Sequence, residues 1–146
     1  MSDIGDLLDV NVWLALVVEG HPHHGVALGN WESFRRPMVC RVTQLSLLRL
    51  LCNRQVMGNE VFEPEQAWKT YEQLIAARTV EFAHEPRELD SALKPLLKGA
   101  RAGRDFWTDA YLASFAQCAG LRLVTFDAGF LKFRGLDALV LPSSDT

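Results

Sequence analysis

The sequence predicts a single α/β domain built around a mostly parallel sheet. Short apolar segments alternate with longer segments whose apolar residues recur at helical spacing. The apolar segments lack strict polar alternation, as expected for parallel strands covered on both faces. No repeat, low-complexity stretch or linker divides the chain. We therefore expect one domain over residues 1–142, followed by a loose tail at 143–146.

The order of the predicted elements gives this fold class its topology. The predicted strands cover residues 6–10, 38–42, 80–83, 121–127 and 137–142. The predicted helices cover residues 12–20, 21–34, 44–56, 63–78, 86–97 and 104–120, with a short helical turn at 129–133. Asn11 and Thr43 are suitable N-caps for the first and third helices, and Gly120 is a suitable residue to end the last long one.

Composition limits the classes of protein that the chain can belong to. Hydrophobic residues make up 49% and charged residues 23%, which excludes general disorder. The net charge of −3 gives no global preference for nucleic acid, although a local basic patch can suffice at a site. Three scattered cysteines, an acidic N-terminus and the short apolar run VWLALVV favour a reducing compartment without secretion or membrane insertion. We therefore expect a cytoplasmic protein.

Two aspartates stand at the carboxyl ends of predicted strands, where parallel α/β sheets bind ligands. Asp9 ends LLD and Asp127 ends LVTFD. Asp109, near the start of a helix, can point to the same edge, and Asp105 lies one turn earlier. Neighbouring carboxylates repel, and Mg²⁺ or Mn²⁺ would relieve that repulsion. We therefore predict a divalent metal site at this edge.

Two neutral polar residues lie close in sequence to the strand-end aspartates. Asn11 and Thr125 can donate hydrogen bonds that hold the carboxylates in place. Taken singly, each aspartate in this set is more often a helix cap or turn residue. The prediction therefore depends on their joint placement at one edge.

Other motifs give weaker or competing interpretations. The run HPHH suggests zinc, but no second pair of ligands stands at a suitable spacing, so a structural role is favoured. The sequence contains no Walker A, GxGxxG, HExxH or GxSxG motif. A phosphatase of the haloacid dehalogenase type would need a second aspartate two residues after Asp9, where this chain has Asn11.

Three motifs, in order, resemble the PIN-domain ribonucleases, in particular the VapC toxins: LLDVNVWLAL, CRVTQLSLLRLL and WTDAYLASFAQCAGLRLVTFDAGF. The resemblance covers most of the chain and implies a three-layer α/β/α sandwich. It implies an endoribonuclease in which Asp9, Asp109 and Asp127 are catalytic and hold Mg²⁺ or Mn²⁺, supported by Asn11 and Thr125. It also implies an RNA substrate, a VapB-like antitoxin and a homodimer.

The chain departs from the family pattern after Thr43. Many members carry Glu at the next position, where this chain has Gln44. The change removes a negative charge but keeps an oxygen. It should either weaken the attraction of a metal ion or leave Asp105 to supply the missing charge. The alternative interpretation is therefore a PIN-like scaffold that binds RNA or protein with weakened catalysis.

A flexible basic turn, GARAGR, precedes the helix of Asp109. Arg101 and Arg104 in this turn are candidates for contacts with RNA phosphates. A solvated basic loop is an equally good explanation, because Gly99 and Gly103 make the turn mobile.

Overall fold

The computed structural model describes residues 4–143 and contains one five-stranded sheet. The strands are β1 (Asp6–Leu8), β2 (Pro37–Val39), β3 (Glu81–Phe82), β4 (Arg122–Thr125) and β5 (Ala138–Val140). They lie in the order β3-β2-β1-β4-β5. Every adjacent pair is parallel, with Leu7 opposite Met38 on one side and Leu123 on the other. The predicted parallel sheet is confirmed.

Helices cover both faces of this sheet. They are α1 (Val10–Val17), α2 (His24–Asn30), α3 (Arg41–Leu51), α4 (Arg54–Met57), α5 (Pro64–Arg78), α6 (Leu89–Leu93) and α7 (Phe106–Ala119). Four 3₁₀ turns in the described residues cover Trp31–Ser33, Gly58–Glu60, Lys94–Leu97 and Ala128–Lys132. The three-layer α/β/α arrangement is therefore the one that the family resemblance implies.

Alternate residues of the central strand supply the two halves of the core. Leu8 packs in a cluster with residues of α1, α3 and α5, whereas Leu7 packs with residues of α6 and α7. Both leucines are fully buried, because the strand is covered on both sides. The continuous apolar pattern of the strand follows from this double burial.

Several helix starts differ from the predicted ones. The first strand ends at Leu8, and Asp9 rather than Asn11 caps α1. The predicted cap at Thr43 is wrong, because α3 begins at Arg41 after Cys40 and Thr43 is buried within its first turn. The predicted helix over 44–56 is interrupted by Asn53, whose side chain caps α4 by accepting from the Gln55 N–H at 2.9 Å.

Two further predicted helices are shorter than expected, whereas the last long helix, α7, ends where it was predicted to end. The predicted helix over 21–34 begins only at His24, and the one over 86–97 is α6 followed by a 3₁₀ turn. Gly120 ends α7 in the left-handed region at φ 68°, where glycine is favoured. Residues 144–146 of the predicted tail lie outside the described residues.

The described residues contain no helix that is long and apolar enough to cross a membrane.

Candidate active site

Asp9 lies at the junction of β1 and α1, at the carboxyl edge of the sheet. Its Oδ1 accepts a hydrogen bond from the Val10 N–H at 2.7 Å, and its Oδ2 accepts one from the Thr125 hydroxyl at 2.8 Å. The side chain is therefore both the N-cap of α1 and a link to β4. Burial raises the pKa of Asp9; the bonds from Thr125 and Val10 lower it, and the charges of Asp127 and Asp105 raise it further.

Thr125 joins three of the polar groups at this edge. Besides donating to Asp9, its Oγ1 accepts from the Asp127 N–H at 3.0 Å and from the Asn11 side-chain amide at 3.4 Å. The Asn11 Oδ1 in turn accepts from the Phe126 N–H at 3.3 Å. Asn11 and Thr125 therefore fasten the start of α1 to the end of β4, which fixes the position of Asp9.

Asp127 caps the 3₁₀ turn that follows β4. Its Oδ1 accepts from the Gly129 N–H at 2.8 Å, while the carboxylate as a whole is exposed. A Cβ at Gly129 would lie only 2.9 Å from that oxygen, so a larger residue there would displace the Asp127 carboxylate. The second oxygen of Asp127 is left for a ligand at the edge of the sheet.

Asp109 lies in the first turn of α7 and is half-buried. Burial, together with the charges of Asp9, Asp127 and Asp105, raises the pKa of Asp109 to about 6, and Lys132 opposes the increase. The four aspartates therefore lie close enough to repel one another. Asp105 occupies the exposed N-cap position of α7, and its C=O accepts from the Asp109 N–H at 2.9 Å.

The raised pKa of Asp109, caused by burial and by the neighbouring carboxylates, predicts that Asp109→Asn stabilises the metal-free protein at neutral pH. A folded pKa of about 6, against an ordinary value of 3.8, means that stability is lost as pH rises between these values. Because the carboxylate is half-exposed, solvent screening limits the gain from Asn to about 1 kcal/mol, or about 3 °C in Tm. Thermal unfolding in EDTA should show the gain at pH 7.5 and lose it below about pH 4. A gain that does not depend on pH would contradict the electrostatic cause.

The oxygen donors suit a hard divalent cation. Within residues 4–143, however, no three His, Cys, Asp or Glu side chains converge closely enough to hold an ion as they stand. Mg²⁺ commonly keeps several waters and binds proteins through one or two carboxylates, so the arrangement fits such an ion. The mutual repulsion of Asp9, Asp109 and Asp127 supports the same conclusion, because a bound cation would relieve it.

Gln44 is buried at the start of α3, and its side chain is engaged within the protein. Its Oε1 accepts from the Arg41 Nη1 at 2.6 Å, and the Arg41 guanidinium lies 4.8 Å from the centre of the Phe82 ring. The side-chain oxygen of Gln44 is therefore already bonded to a residue of the protein, Arg41. The neighbouring Thr43 hydroxyl lies 3.4 Å from the Cys40 sulfur.

Arg101 and Arg104 both lie exposed in the segment before α7. Arg101 lines a cavity with Lys98 and Lys132, whereas Arg104 is not part of its lining. Sequence reasoning missed both lysines. The sequence did offer a signal for each lysine, because Lys98 directly precedes the basic turn and Lys132 follows Asp127 by five residues.

The histidines of HPHH have structural contacts. The ring of His24 makes a hydrogen bond through Nδ1 to the Ala15 C=O at 2.7 Å. His23 stacks on Phe126 with ring centres 4.7 Å apart, and its backbone N–H donates to the His21 Nδ1 at 3.0 Å. These contacts support the structural interpretation over a zinc site.

Comparison with known proteins shows matches over nearly the whole chain. Residues 7–136 match the PIN domain family. Ribonuclease VapC41 of Mycobacterium tuberculosis is 37% identical over 142 residues, which span 92% of this chain and 97% of that protein. Ribonuclease VapC38 of the same organism is 31% identical over 129 residues, which span 84% of this chain and 85% of that protein.

Two solved structures show the likeness of fold. VapC20 of Mycobacterium tuberculosis, described as a sarcin-ricin loop cleaving toxin, matches with a TM-score of 0.67 and 18% identity, over 94% of this chain and 100% of that one. A chain of VapBC2 from Rickettsia felis, bound to a DNA fragment from its promoter, matches with a TM-score of 0.68 and 13% identity, over 95% of this chain and 100% of that one.

Proposed function

Because the chain belongs to the PIN-domain family, with VapC ribonucleases among its relatives, we propose that it is a metal-dependent endoribonuclease and the toxin of a toxin–antitoxin pair. The observation that carries this proposal is the group of mutually repelling carboxylates at the carboxyl edge of the sheet. We propose that residues 1–142 act together as one nuclease domain.

In this proposal Asp9, Asp109 and Asp127 are the catalytic residues and would hold Mg²⁺ or Mn²⁺. Such an ion lowers the pKa of a bound water and stabilises negative charge on the phosphate of the RNA. Thr125 and the Val10 N–H fix the two oxygens of Asp9, so that this carboxylate needs little reorganisation to bind. Asp105 adds negative charge beside Asp109 in place of the carboxylate that Gln44 lacks.

We also propose a VapB-like antitoxin, a homodimer and a cytoplasmic location. The structures of similar fold include VapBC assemblies, which supports an antitoxin partner. Exposed apolar side chains at Leu45, Trp68 and Trp107 provide surface for a partner helix or a second copy.

The test is cleavage of RNA by the purified protein in Mn²⁺, in Mg²⁺ and in EDTA. We expect internal cleavage with either metal and intact RNA in EDTA, because the carboxylates alone cannot supply the electrophile. The Asp9→Asn variant, purified in the same way, controls for contaminating nucleases.

One observation favours the second candidate function, a PIN-like scaffold with weakened catalysis. The oxygen of Gln44 is already engaged by Arg41, so this position adds no charge for a metal. If the scaffold is correct, RNA binds equally in EDTA and in Mn²⁺ and stays intact in both. That outcome would reject the endoribonuclease.

A further inference from the structure

A cavity of about 330 Å³ lies beside the start of α7. One wall is the segment from Leu96 to Arg101, the other is Lys132 with Phe133, and Phe106 forms part of the lining. A second cavity of about 350 Å³ shares Lys98 and Lys132 with the first and extends it. We call the two together the basic cleft, after its four cationic side chains, which are Lys98, Arg101, Lys132 and Arg134.

The basic cleft adjoins the carboxylate site, although none of the four aspartates lines either of its cavities. Phe106 stands between Asp105 and Asp109 in sequence, and Lys132 ends the 3₁₀ turn that Asp127 caps. The charge of Lys132 also acts on Asp109. The cleft therefore lies on the side of the carboxylate site that carries Lys132 and the start of α7.

The four cations of the basic cleft are available for a ligand. Within residues 4–143 none of them forms an ion pair within 4.0 Å; the ion pairs found there join Arg36 to Glu81 and Arg122 to Asp6. The ammonium of Lys132 is held over two aromatic rings, 5.2 Å from the centre of Phe133 and 5.9 Å from that of Phe106. A concave cluster of unpaired cations on a chain of net charge −3 indicates an anionic ligand.

The backbone between Lys98 and Arg101 holds this wall in a tight turn. Gly99 has a φ of 73°, which L-residues rarely adopt, and the Ala100 N–H donates to the Leu97 C=O at 3.1 Å. The turn therefore keeps the cationic side chains of one wall opposite Lys132.

We propose that the basic cleft binds the phosphodiester backbone of a single-stranded RNA at the nucleotide next to the one that is cleaved. This inference rests on the proposed endoribonuclease. The cavities are at the small end of ligand sites and suit one nucleotide rather than a helix. Lys98 and Lys132 contact the phosphate from opposite walls, and the aromatic lining contacts the sugar or base.

The test is binding of a fluorescent single-stranded RNA by anisotropy, in EDTA and over a range of salt concentrations. The variant Lys98→Ala/Lys132→Ala should bind at least about tenfold more weakly than the wild type. Its slope of log affinity against log salt should be smaller by about 0.7 for each lysine. The charge-preserving variant Lys98→Arg/Lys132→Arg should retain most of the affinity and the slope.

Lys69→Ala is the matched control, because Lys69 is an exposed lysine on α5, which packs on the opposite face of the sheet. It should bind as the wild type does. Equal binding and slope for Lys98→Ala/Lys132→Ala, or no RNA binding by the wild type, would overturn the inference. Because these measurements are made in EDTA, they are independent of cleavage. A protein that binds through the lysines but never cuts RNA in Mn²⁺ would refute the proposed function alone.

Discussion

Asp9→Asn should reduce metal-dependent RNA cleavage by at least about a hundredfold while leaving the fold intact. The amide is nearly isosteric, and its oxygen can still accept the Val10 N–H bond that caps α1. It removes the charge that Asp9 contributes beside Asp109 and Asp127. The measurement is kcat/KM for a defined RNA at saturating Mn²⁺, with circular dichroism as the check on folding.

The same variant should be at least as stable as the wild type in EDTA. Burial raises the pKa of Asp9, so its ionised form is unfavourable in the folded protein without a cation. We therefore expect Mn²⁺ to raise the Tm of the wild type but not that of Asp9→Asn. Activity and metal-free stability would then change in opposite directions, as is common for residues kept for function.

Glu72→Gln is the matched control, since it makes the same chemical change at an exposed position on α5. It should leave both cleavage and the effect of Mn²⁺ on Tm unchanged. Undiminished cleavage by Asp9→Asn would remove Asp9 from the active site, and with it the proposed mechanism.

The placement of the aspartates was predictable from the sequence because it follows from topology. Parallel strands put their carboxyl ends at one edge, so Asp9 and Asp127 had to lie near each other once both strands were identified. The hydrogen bonds were less predictable. Asn11 was expected to cap α1, yet Asp9 does so, and Asn11 reaches the backbone of Phe126 instead.

The predicted helix starts were wrong where packing outweighed the capping preference of a single residue. Thr43 has the side chain of a good N-cap, but α3 already begins at Arg41, directly after the strand end at Val39 and the buried Cys40. The lysines of the basic cleft were not predicted from the sequence for another reason. Lys98 and Lys132 are 34 residues apart, and no periodicity relates positions on a loop and on a 3₁₀ turn.

Two buried aspartates three residues apart, one at the start of β1 and one directly after its end, show what sequence alone does not distinguish. Asp6 is fully buried, and both its oxygens are bonded to Arg122, at 2.9 and 2.8 Å, with a further bond from the Arg35 N–H at 2.7 Å. Asp9 is bonded to neutral donors and lies beside other carboxylates. The first is compensated by a cation of the protein itself, whereas the second leaves its charge for a ligand.

This difference predicts that Arg122→Met destabilises the protein by about 3 kcal/mol, because it leaves the buried Asp6 carboxylate without its cation. The expected decrease in Tm is about 10 °C, measured by thermal unfolding at neutral pH. Asp6→Asn/Arg122→Met should recover most of the loss, since the amide carries no charge and can still accept the Arg35 N–H bond.

Glu81→Gln supplies the comparison, because it weakens an exposed ion pair with Arg36 and should cost less than about 1 kcal/mol. Equal losses for Arg122→Met and Glu81→Gln would show that burial of Asp6 carries no penalty. Below its Tm, folded Arg122→Met should cleave RNA at the rate of the wild type, because Asp6 and Arg122 lie at the amino edge of the sheet and the carboxylate site lies at the other. Removing the partner of the first aspartate should therefore destabilise the protein without affecting cleavage, whereas neutralising the second should leave a stable protein that does not cut RNA.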